Sequence, residues 1–380
     1  LAHLRREIEP VPAAAMVQFL LEWQHVAPGA RLAGEQGVLE VVDQLQGFET
    51  AGVAWEDEIL RGRVSDYQPG FLDSLCLGGA VVWGRWRRRG TQAENPARRP
   101  GLTRTAPIGL GIREDLPWLL DPAPADETAL SGGARDAVDF LRRRGASFFA
   151  DICAGTRRLP SEVEDAVWQL VAAGLVTADS FAALRALVSG ETRRLEHSRR
   201  RRRQPRRTRE GRWSLLETEA APADGRVEFW ARQFLRRYGI FCRELLARES
   251  ATIPWRSLLS FFRRSEARGE IRGGRFLSGL NGEQFALPEA VEALRALRRR
   301  DLRGQFAAVS ACDPLNLAGV LTPGRRIPAL PGNRIVFRDG VPVATLENGA
   351  ACMLAGVDPS ERPQLDMLLD ERPFRFGRTD

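Results

Sequence analysis

The stretch 144–188, RGASFFADICAGTRRLPSEVEDAVWQLVAAGLVTADSFAALRALV, limits what this chain can fold into more than any other. Phe148, Phe149 and Ile152 predict a short apolar helix that Gly155 ends. Pro160 and Ser161 open a second helix. Ser161 with Glu164 fits a capping box, in which hydroxyl and carboxylate satisfy free backbone N–H groups at a helix start. Val163, Ala166, Val167, Leu170 and Val171 recur at helical spacing, so one face is buried. Gly174 falls where a left-handed C-terminal cap belongs. This is the layout of a helix-turn-helix leading into a wing.

Two other segments repeat the plan. In residues 1–113, Met16, Val17, Phe19, Leu20 and Trp23 mark a helix after Pro12. Val38, Val42 and Leu45 mark a second, and Val53, Ile59 and Leu60 a third. Pro69 opens a fourth with Phe71, Leu72 and Leu75, ended by Gly78 and Gly79. Residues 81–86 and 108–112 read as strands joined by a long loop rich in Arg and Pro, so helices followed by a hairpin give the winged-helix order. A Pro/Asp-rich connector follows. The second module, 128–217, starts with a helix near Ser131 and closes on a strand at 211–216. Its basic tract, 198–213, sits where a wing tip belongs.

The third module spans 226–300. Val227, Trp230, Ala231 and Phe234 lie at helical spacing, and Gly239 ends that helix. Pro254 suits a first helical turn. Trp255, Leu258, Leu259 and Phe262 follow at i, i+3, i+4 and i+7. Residues 271–277 and 285–287 predict a hairpin around Asn281-Gly282, a tight-turn signal. In 305–380 the pattern changes to short strand candidates at 306–309, 327–330, 334–337 and 341–346, separated by Pro-Gly and Asp-Gly turns, which predicts a small β-barrel. The expected fold class is therefore α+β: tandem winged-helix domains followed by a small C-terminal β-barrel.

Charge narrows the partner. The net charge is +7, and all 56 basic residues are arginine, whose planar forked donors suit phosphate. That balance leans towards a polyanion. The five cysteines show no C-x-x-C pair and no zinc spacing with the three histidines, so no metal site is expected and a reducing compartment, the cytoplasm, suits them. No run of apolar residues is long enough to span a membrane. The first residue is Leu1, and the chain is expected to be a fragment of a longer protein.

Catalytic motifs are scarce. No phosphate-binding G-x-x-x-x-G-K-[ST] loop, D-E-A-D/H box or G-x-S-x-G elbow occurs. Binding residues are plentiful. Arg199, Arg200, Arg201, Arg202, Arg203, Arg206, Arg207 and Arg209 can neutralise phosphates, or form a solvated linker. The first wing offers Arg85, Arg87, Arg88, Arg89, Arg98, Arg99 and Arg104, with Trp83 and Trp86 beside them as base-stacking candidates, unless one is core. The helix after Ser161 carries Glu162, Glu164 and Asp165 and should repel DNA. The helix after Pro254 carries Arg256, Arg263, Arg264 and Arg268, which could lie against a duplex or simply be solvated.

Several long segments carry a family resemblance: MVQFLLEWQHVAPG (16–29), YQPGFLDSLCLGGAVVWGR (67–85), the 144–188 stretch, GRWSLL (211–216), GEIRGGRFLSGLNGEQFALPEAVEALR (269–295) and DPLNLAGVLTPGRRIPALPGNRIVFRDGVPVA (313–344). Together they resemble the C-terminal region of the bacterial large helicase-related proteins. The resemblance implies an ATP-dependent, 3′-to-5′ superfamily 2 helicase of DNA repair, whose motor, with its ATP and Mg, lies in an N-terminal part outside this chain. No cofactor is then expected here. It further implies tandem winged helices and a β-barrel that self-associate as a tetramer, bind single-stranded or tailed duplex DNA, and resemble winged-helix DNA glycosylases. Uracil excision is attributed to this region in some members. The glycosylases' Gln-x-Gln or Gln-x-Asp motif corresponds roughly to Glu49 and Ala51 here, a departure at both positions. The family's uracil-excising aspartate lies near the extreme C-terminus, where Asp366, Asp370 and Asp380 are candidates.

Three readings result: a DNA-holding and assembly region of a repair helicase with uracil-excision activity, the same region without catalysis, or a tandem winged-helix transcription regulator. The acidic second recognition helix argues against the last, because a regulator should present a base-reading helix.

Overall fold

A computed structural model describes residues 9–87, 106–123, 127–188, 211–219, 221–299, 304–354 and 356–370. The chain forms two compact units. A central unit comprises Val38–Val53 and Gln68–Ala221; a terminal unit comprises Leu1–Gly37, Ala54–Tyr67 and Pro222–Asp380.

The central unit holds two small sheets. In the first, β1 (Glu49–Ala51) and β2 (Val81–Gly84) flank β3 (Pro107–Ile112), all antiparallel. Helix α3 (Pro69–Leu77) precedes β2; it follows α1 (Ala13–Trp23) and α2 (Gly34–Leu45) in the chain. Pro69 stands in the first turn of α3, where its missing N–H costs nothing, and Leu72, Leu75 and Cys76 are buried. The second sheet has the order β4-β6-β5, from β4 (Ser147–Phe148), β5 (Val176–Ala178) and β6 (Arg212–Leu215). Around it lie α4 (Gly132–Arg144), α5 (Phe149–Thr156), α6 (Pro160–Ala173) and α7 (Phe181–Val188). Ser131 caps α4, accepting the Ala134 N–H at 3.2 Å.

Two expectations for the 144–188 stretch fail in detail. Gly155 does not end α5; the helix reaches Thr156 and closes on Arg157 in the left-handed region. Gly155 is there for packing, since a Cβ would lie 2.0 Å from the Phe140 ring. The capping box does not use Ser161 and Glu164. Pro160 is already helical, and the Glu162 carboxylate accepts the Leu159 N–H at 2.9 Å. Gly174 caps α6 at φ 72°, as its position predicts.

In the terminal unit, the helical run 52–63 reaches its π-helical middle, Trp55–Leu60. Helices α8 (Ala223–Tyr238), α9 (Trp255–Ala267) and α10 (Pro288–Arg298) surround a sheet of order β7-β9-β8, built from β7 (Ile240–Phe241), β8 (Arg272–Gly274) and β9 (Gln284–Ala286). Pro254 is the N-cap of α9 rather than part of its first turn. The hairpin at Asn281-Gly282 is not a tight turn. Gln284 accepts the Phe276 and Leu277 N–H groups (2.8 and 2.7 Å), and Val11 bonds to Phe276 and Ser278, so β8 stops early and leaves a longer loop.

The last strands are β10 (Phe306–Ser310), β11 (Arg334–Arg338), β12 (Val341–Glu347) and β13 (Ala350–Met353), an antiparallel meander in that order. Among the described residues no pairing closes β10 onto β13, so the expected barrel is an open sheet here. Helix α11 (Arg362–Asp370) packs on it, burying Leu365 and Leu369 against Val336, Val343 and Ala344. Residues 327–330 form no strand. Pro328 has no N–H to donate, and side-chain amides take the local carbonyls: Asn316 bonds to Ala311 and Ile327 (2.8 and 2.9 Å), Asn333 to Pro328 (3.1 Å).

Buried ions cross-link the terminal unit. Arg63, with no exposed surface, forks onto Asp313 at 2.6 and 2.9 Å and donates to Gln24 at 3.0 Å. Arg237 pairs with Glu249, both fully buried, and Arg334 meets Glu58 at 3.2 Å.

Candidate nucleic-acid interface

A winged helix meets DNA through the helix before its wing, when that helix is exposed and bears donors. Three helices hold that place: α3, α6 and α9.

Helix α3 is used for internal packing. Its Asp73 accepts the Ala182 N–H at 2.9 Å and pairs with Arg185 at 3.0 Å, so it caps and neutralises α7. The following strand is equally engaged. The Trp83 indole donates to the Ser180 carbonyl at 3.2 Å, and the Thr177 hydroxyl donates to the Trp83 carbonyl at 2.6 Å. Helix α6 is sealed along most of its length. Ala166, Val167, Trp168, Leu170, Val171 and Ala173 are buried, and the Trp168 ring meets the Trp213 ring edge-on at 6.0 Å. What it exposes is its acidic first turns, at Ser161, Glu162 and Asp165.

Helix α9 differs. It buries Leu258, Phe261 and Phe262 on one side. On the other, Arg256, Ser260 and Arg264 follow at i, i+4 and i+8, a single exposed stripe. Among the described residues, Arg264 donates only to neutral Ser260, at 3.0 Å. Arg263 and Arg268 are already paired, with Glu283 (2.5 Å) and Glu270 (2.6 Å). Two wing residues that sequence reasoning passed over, Arg272 and Arg275, are exposed. Among the described residues no carboxylate pairs with Arg256, Arg272 or Arg275. Their signal was available in GEIRGGRF, whose arginines lie at the start of the strand after a basic helix and just beyond its end. Residues 226–300 hold sixteen arginines against eight acidic residues, all glutamate, so this segment is strongly basic.

The first wing places its residues otherwise. Arg85 donates to the Ala172 carbonyl at 2.8 Å and is tied into the central unit. Arg87 is partly buried. Trp83 and Trp86 are both buried, so neither ring offers a face to a base as it lies. The Trp86 indole lies so close to β3 that a Cβ on Gly109 would come within 1.8 Å of it. Arg88, Arg89, Arg98, Arg99 and Arg104 lie outside the described residues, as do Arg199, Arg200, Arg201, Arg202, Arg203, Arg206, Arg207 and Arg209.

Of the carboxylate candidates, Glu49 has a built environment. It stands at the start of β1, opposite Gly109, and accepts the Trp86 N–H at 2.8 Å. Burial pushes its carboxyl above the ordinary carboxylate value; the Trp86 N–H and the Arg85 and Arg87 charges oppose this without cancelling it. Such a carboxyl keeps its proton to higher pH than a free one. Asp366 and Asp370 are exposed on α11, Asp366 beside Arg362 at 3.9 Å, and neither is enclosed. Asp380 lies outside the described residues. Among the described residues no group of three or more His, Cys, Asp or Glu side chains is placed to hold a metal ion, and no helix is long and apolar enough to cross a membrane.

Family models for the third and fourth winged-helix domains of the large helicase-related protein match residues 11–98 and 220–312. The "Lhr helicase/uracil glycosylase" of Escherichia coli (strain K12) is 31% identical over 402 residues, covering 94% of this chain and 25% of that protein. The "Lhr helicase/ probable uracil glycosylase" of Mycolicibacterium smegmatis is 30% identical over 392 residues, covering 93% of this chain and 24% of its own length. The chain thus spans about a quarter of these relatives. Among solved structures, the Streptomyces sahachiroi DNA glycosylase AlkZ shares the fold, with a TM-score of 0.53 across 96% of this chain and 97% of that one, at 11% identity. The chain belongs to the large helicase-related (Lhr) protein family, whose third and fourth winged-helix domains it carries.

Proposed function

We propose that this chain is the DNA-holding C-terminal region of an ATP-dependent Lhr repair helicase, and that it grips duplex DNA through α9 and the wing that follows. The observation that carries this is the contrast among three helices. Helix α3 is spent on packing and α6 is acidic and sealed, whereas α9 presents an exposed arginine stripe. Contacts of this kind go to phosphates and carry little sequence information, so binding is steeply salt-dependent and tolerant of sequence. The module frame is that read from the sequence, 1–113, 128–217, 226–300 and 305–380. The partners are single-stranded or tailed duplex DNA, the helicase core of the same polypeptide in the cytoplasm, and further copies of the chain, as a tetramer.

The test is duplex affinity by fluorescence anisotropy across a salt series. Removing Arg256 and Arg264 together (both to Gln) should lower affinity and reduce the slope of log K against log salt by about 1.8, two phosphate contacts at about 0.9 each. Changing Glu162 and Asp165 to Gln and Asn should leave the slope unchanged. An unchanged slope in the α9 variant contradicts the proposal, and tight binding to one palindrome would favour a regulator.

A second reading, uracil excision, is supported by the Glu49 environment and by the fold shared with a DNA glycosylase. Glu49 would stabilise the cationic sugar or activate water once a flipped base is seated. The test treats uracil-containing DNA with this chain and then with alkali, which cuts at an abasic site. Cleavage that is lost in Glu49→Gln and kept in Asp366→Asn, Asp370→Asn and a chain ending at residue 370 supports Glu49. Cleavage that survives Glu49→Gln contradicts it.

A further inference from the structure

On the exposed face of α9, Arg263 is ion-paired to the wing. Arg263 lies one heptad beyond Arg256, on the same side of the helix. Its guanidinium is held by Glu283, with Nε 3.1 Å and Nη2 2.5 Å from Oε2. Glu283 comes from the loop joining β8 to β9, so the ion pair bridges the helix and the wing. It is the only acidic residue between Ile271 and Pro288, a segment that otherwise contributes Arg272 and Arg275. The pair is open to solvent, with Arg263 59% and Glu283 32% exposed. Exposed pairs of this kind are weakly held. Gly282, immediately before Glu283, has φ +104°, a conformation only glycine adopts readily, so the approach of this carboxylate depends on a glycine turn.

A guanidinium fork accepts a phosphate in the same planar geometry as a carboxylate. The cleft between a recognition helix and its wing is where a DNA backbone is positioned by phosphate contacts. We propose that Glu283 occupies, in the free protein, a phosphate subsite on Arg263 that a DNA backbone phosphate takes over on binding. This rests on the reading that α9 faces the duplex. The exchange of one anion for another makes Arg263 nearly silent in the wild-type protein, because the incoming phosphate only replaces a carboxylate that Arg263 already holds.

The test is a double-mutant cycle on duplex affinity with Glu283→Gln, Arg263→Gln and both together, across a salt series, each variant checked for native far-UV dichroism. Glu292→Gln, an exposed change on α10, controls for the general effect of removing a negative charge. The expected result is that Glu283→Gln binds about three- to fivefold tighter than wild type, the scale set by an exposed ion pair, with a slope steeper by about 0.9. Glu292→Gln should change affinity less than about twofold, the scale of a lone exposed charge. Arg263→Gln should cost little alone and abolish the whole gain in the Glu283→Gln background. Equal affinities for Glu283→Gln and Glu292→Gln would overturn the proposal, as would a gain that survives loss of Arg263. The Arg256/Arg264 double variant separates the two ideas. If it binds as wild type, the α9 reading fails and the subsite with it. If it weakens while the cycle is flat, only the subsite fails.

Discussion

Replacing Asp313 with alanine should destabilise the terminal unit by about 3–5 kcal/mol, the cost of leaving a buried charge without its partner. The carboxylate makes both arms of the fork on Arg63, at 2.6 and 2.9 Å, with side chains 0% and 4% exposed. It also accepts the Leu315 N–H at 2.9 Å. Arg63 would keep Gln24 at 3.0 Å and the Ile59 carbonyl at 3.3 Å, so its charge would be solvated in part and the loss should fall in the lower half of that range. Arg248 bonds to the main-chain oxygen of Asp313, at 2.9 Å, which alanine retains. For a unit of about two hundred residues, each kcal/mol moves Tm by about 2–4 °C, so a fall of about 6–15 °C is expected. Thermal and urea unfolding followed by far-UV dichroism measure it. Replacing both partners with apolar residues, Arg63→Met with Asp313→Leu, should recover most of the loss. A drop under about 1 kcal/mol in Asp313→Ala, or a double variant no better than the single one, would refute the assignment of this pair as a desolvated, mutually dependent fork.

Two further perturbations test other parts of the fold. Glu49 has its folded carboxyl value raised by burial, so its contribution to stability is fully present only below the unfolded value and is lost as pH rises through the folded one. Glu49→Gln, which stays neutral, should therefore match wild type in Tm well below pH 4.5 and become progressively more stable than it towards neutral pH; a constant difference would show that ionisation is not the cause. Gly155→Ala should cost about 1–3 kcal/mol by overpacking against Phe140, and Phe140→Leu in the same chain should relieve it; an alanine tolerated at no cost would show that α5 shifts freely.

Helix-period spacing was legible for most helices, because one face of each is buried. Leu258 and Phe262 on α9, or Val163, Val167 and Leu170 on α6, mark the same side. Residues 81–86 and 108–112 read as strands, and the strands run over 81–84 and 107–112, buried along almost their whole length rather than on one face. Chain-distant compensation was not legible. The β8 hairpin opened because Val11, more than two hundred residues away, took up the backbone of Phe276 and Ser278. The strand expected at 327–330 is absent because Asn316 and Asn333 take up the Ile327 and Pro328 carbonyls, which a strand would have used. The arginine at 263 was visible as a basic residue on the right face, but its neutralisation by Glu283 depends on a loop path that spacing cannot give. Trp86 looked like a stacking residue because it neighbours arginines; the missing side chain of Gly109 is what allows it to be buried instead. The acidity of α6 is visible in the sequence as Glu162, Glu164 and Asp165; the structure exposes Glu162 and Asp165, half-buries Glu164 and covers most of the helix beyond.

DNA should lie on α9 and not on α3 or α6, and one measurement reads this directly. Each helix has an exposed serine on its open side: Ser260 on α9, Ser161 on α6 and Ser74 on α3. A photoreactive side chain is placed at each in turn, duplex DNA is bound, and the sample is irradiated. Crosslinking at position 260, absent at 161 and 74, is the expected result. Crosslinking at 161 or 74 with none at 260 would contradict the account.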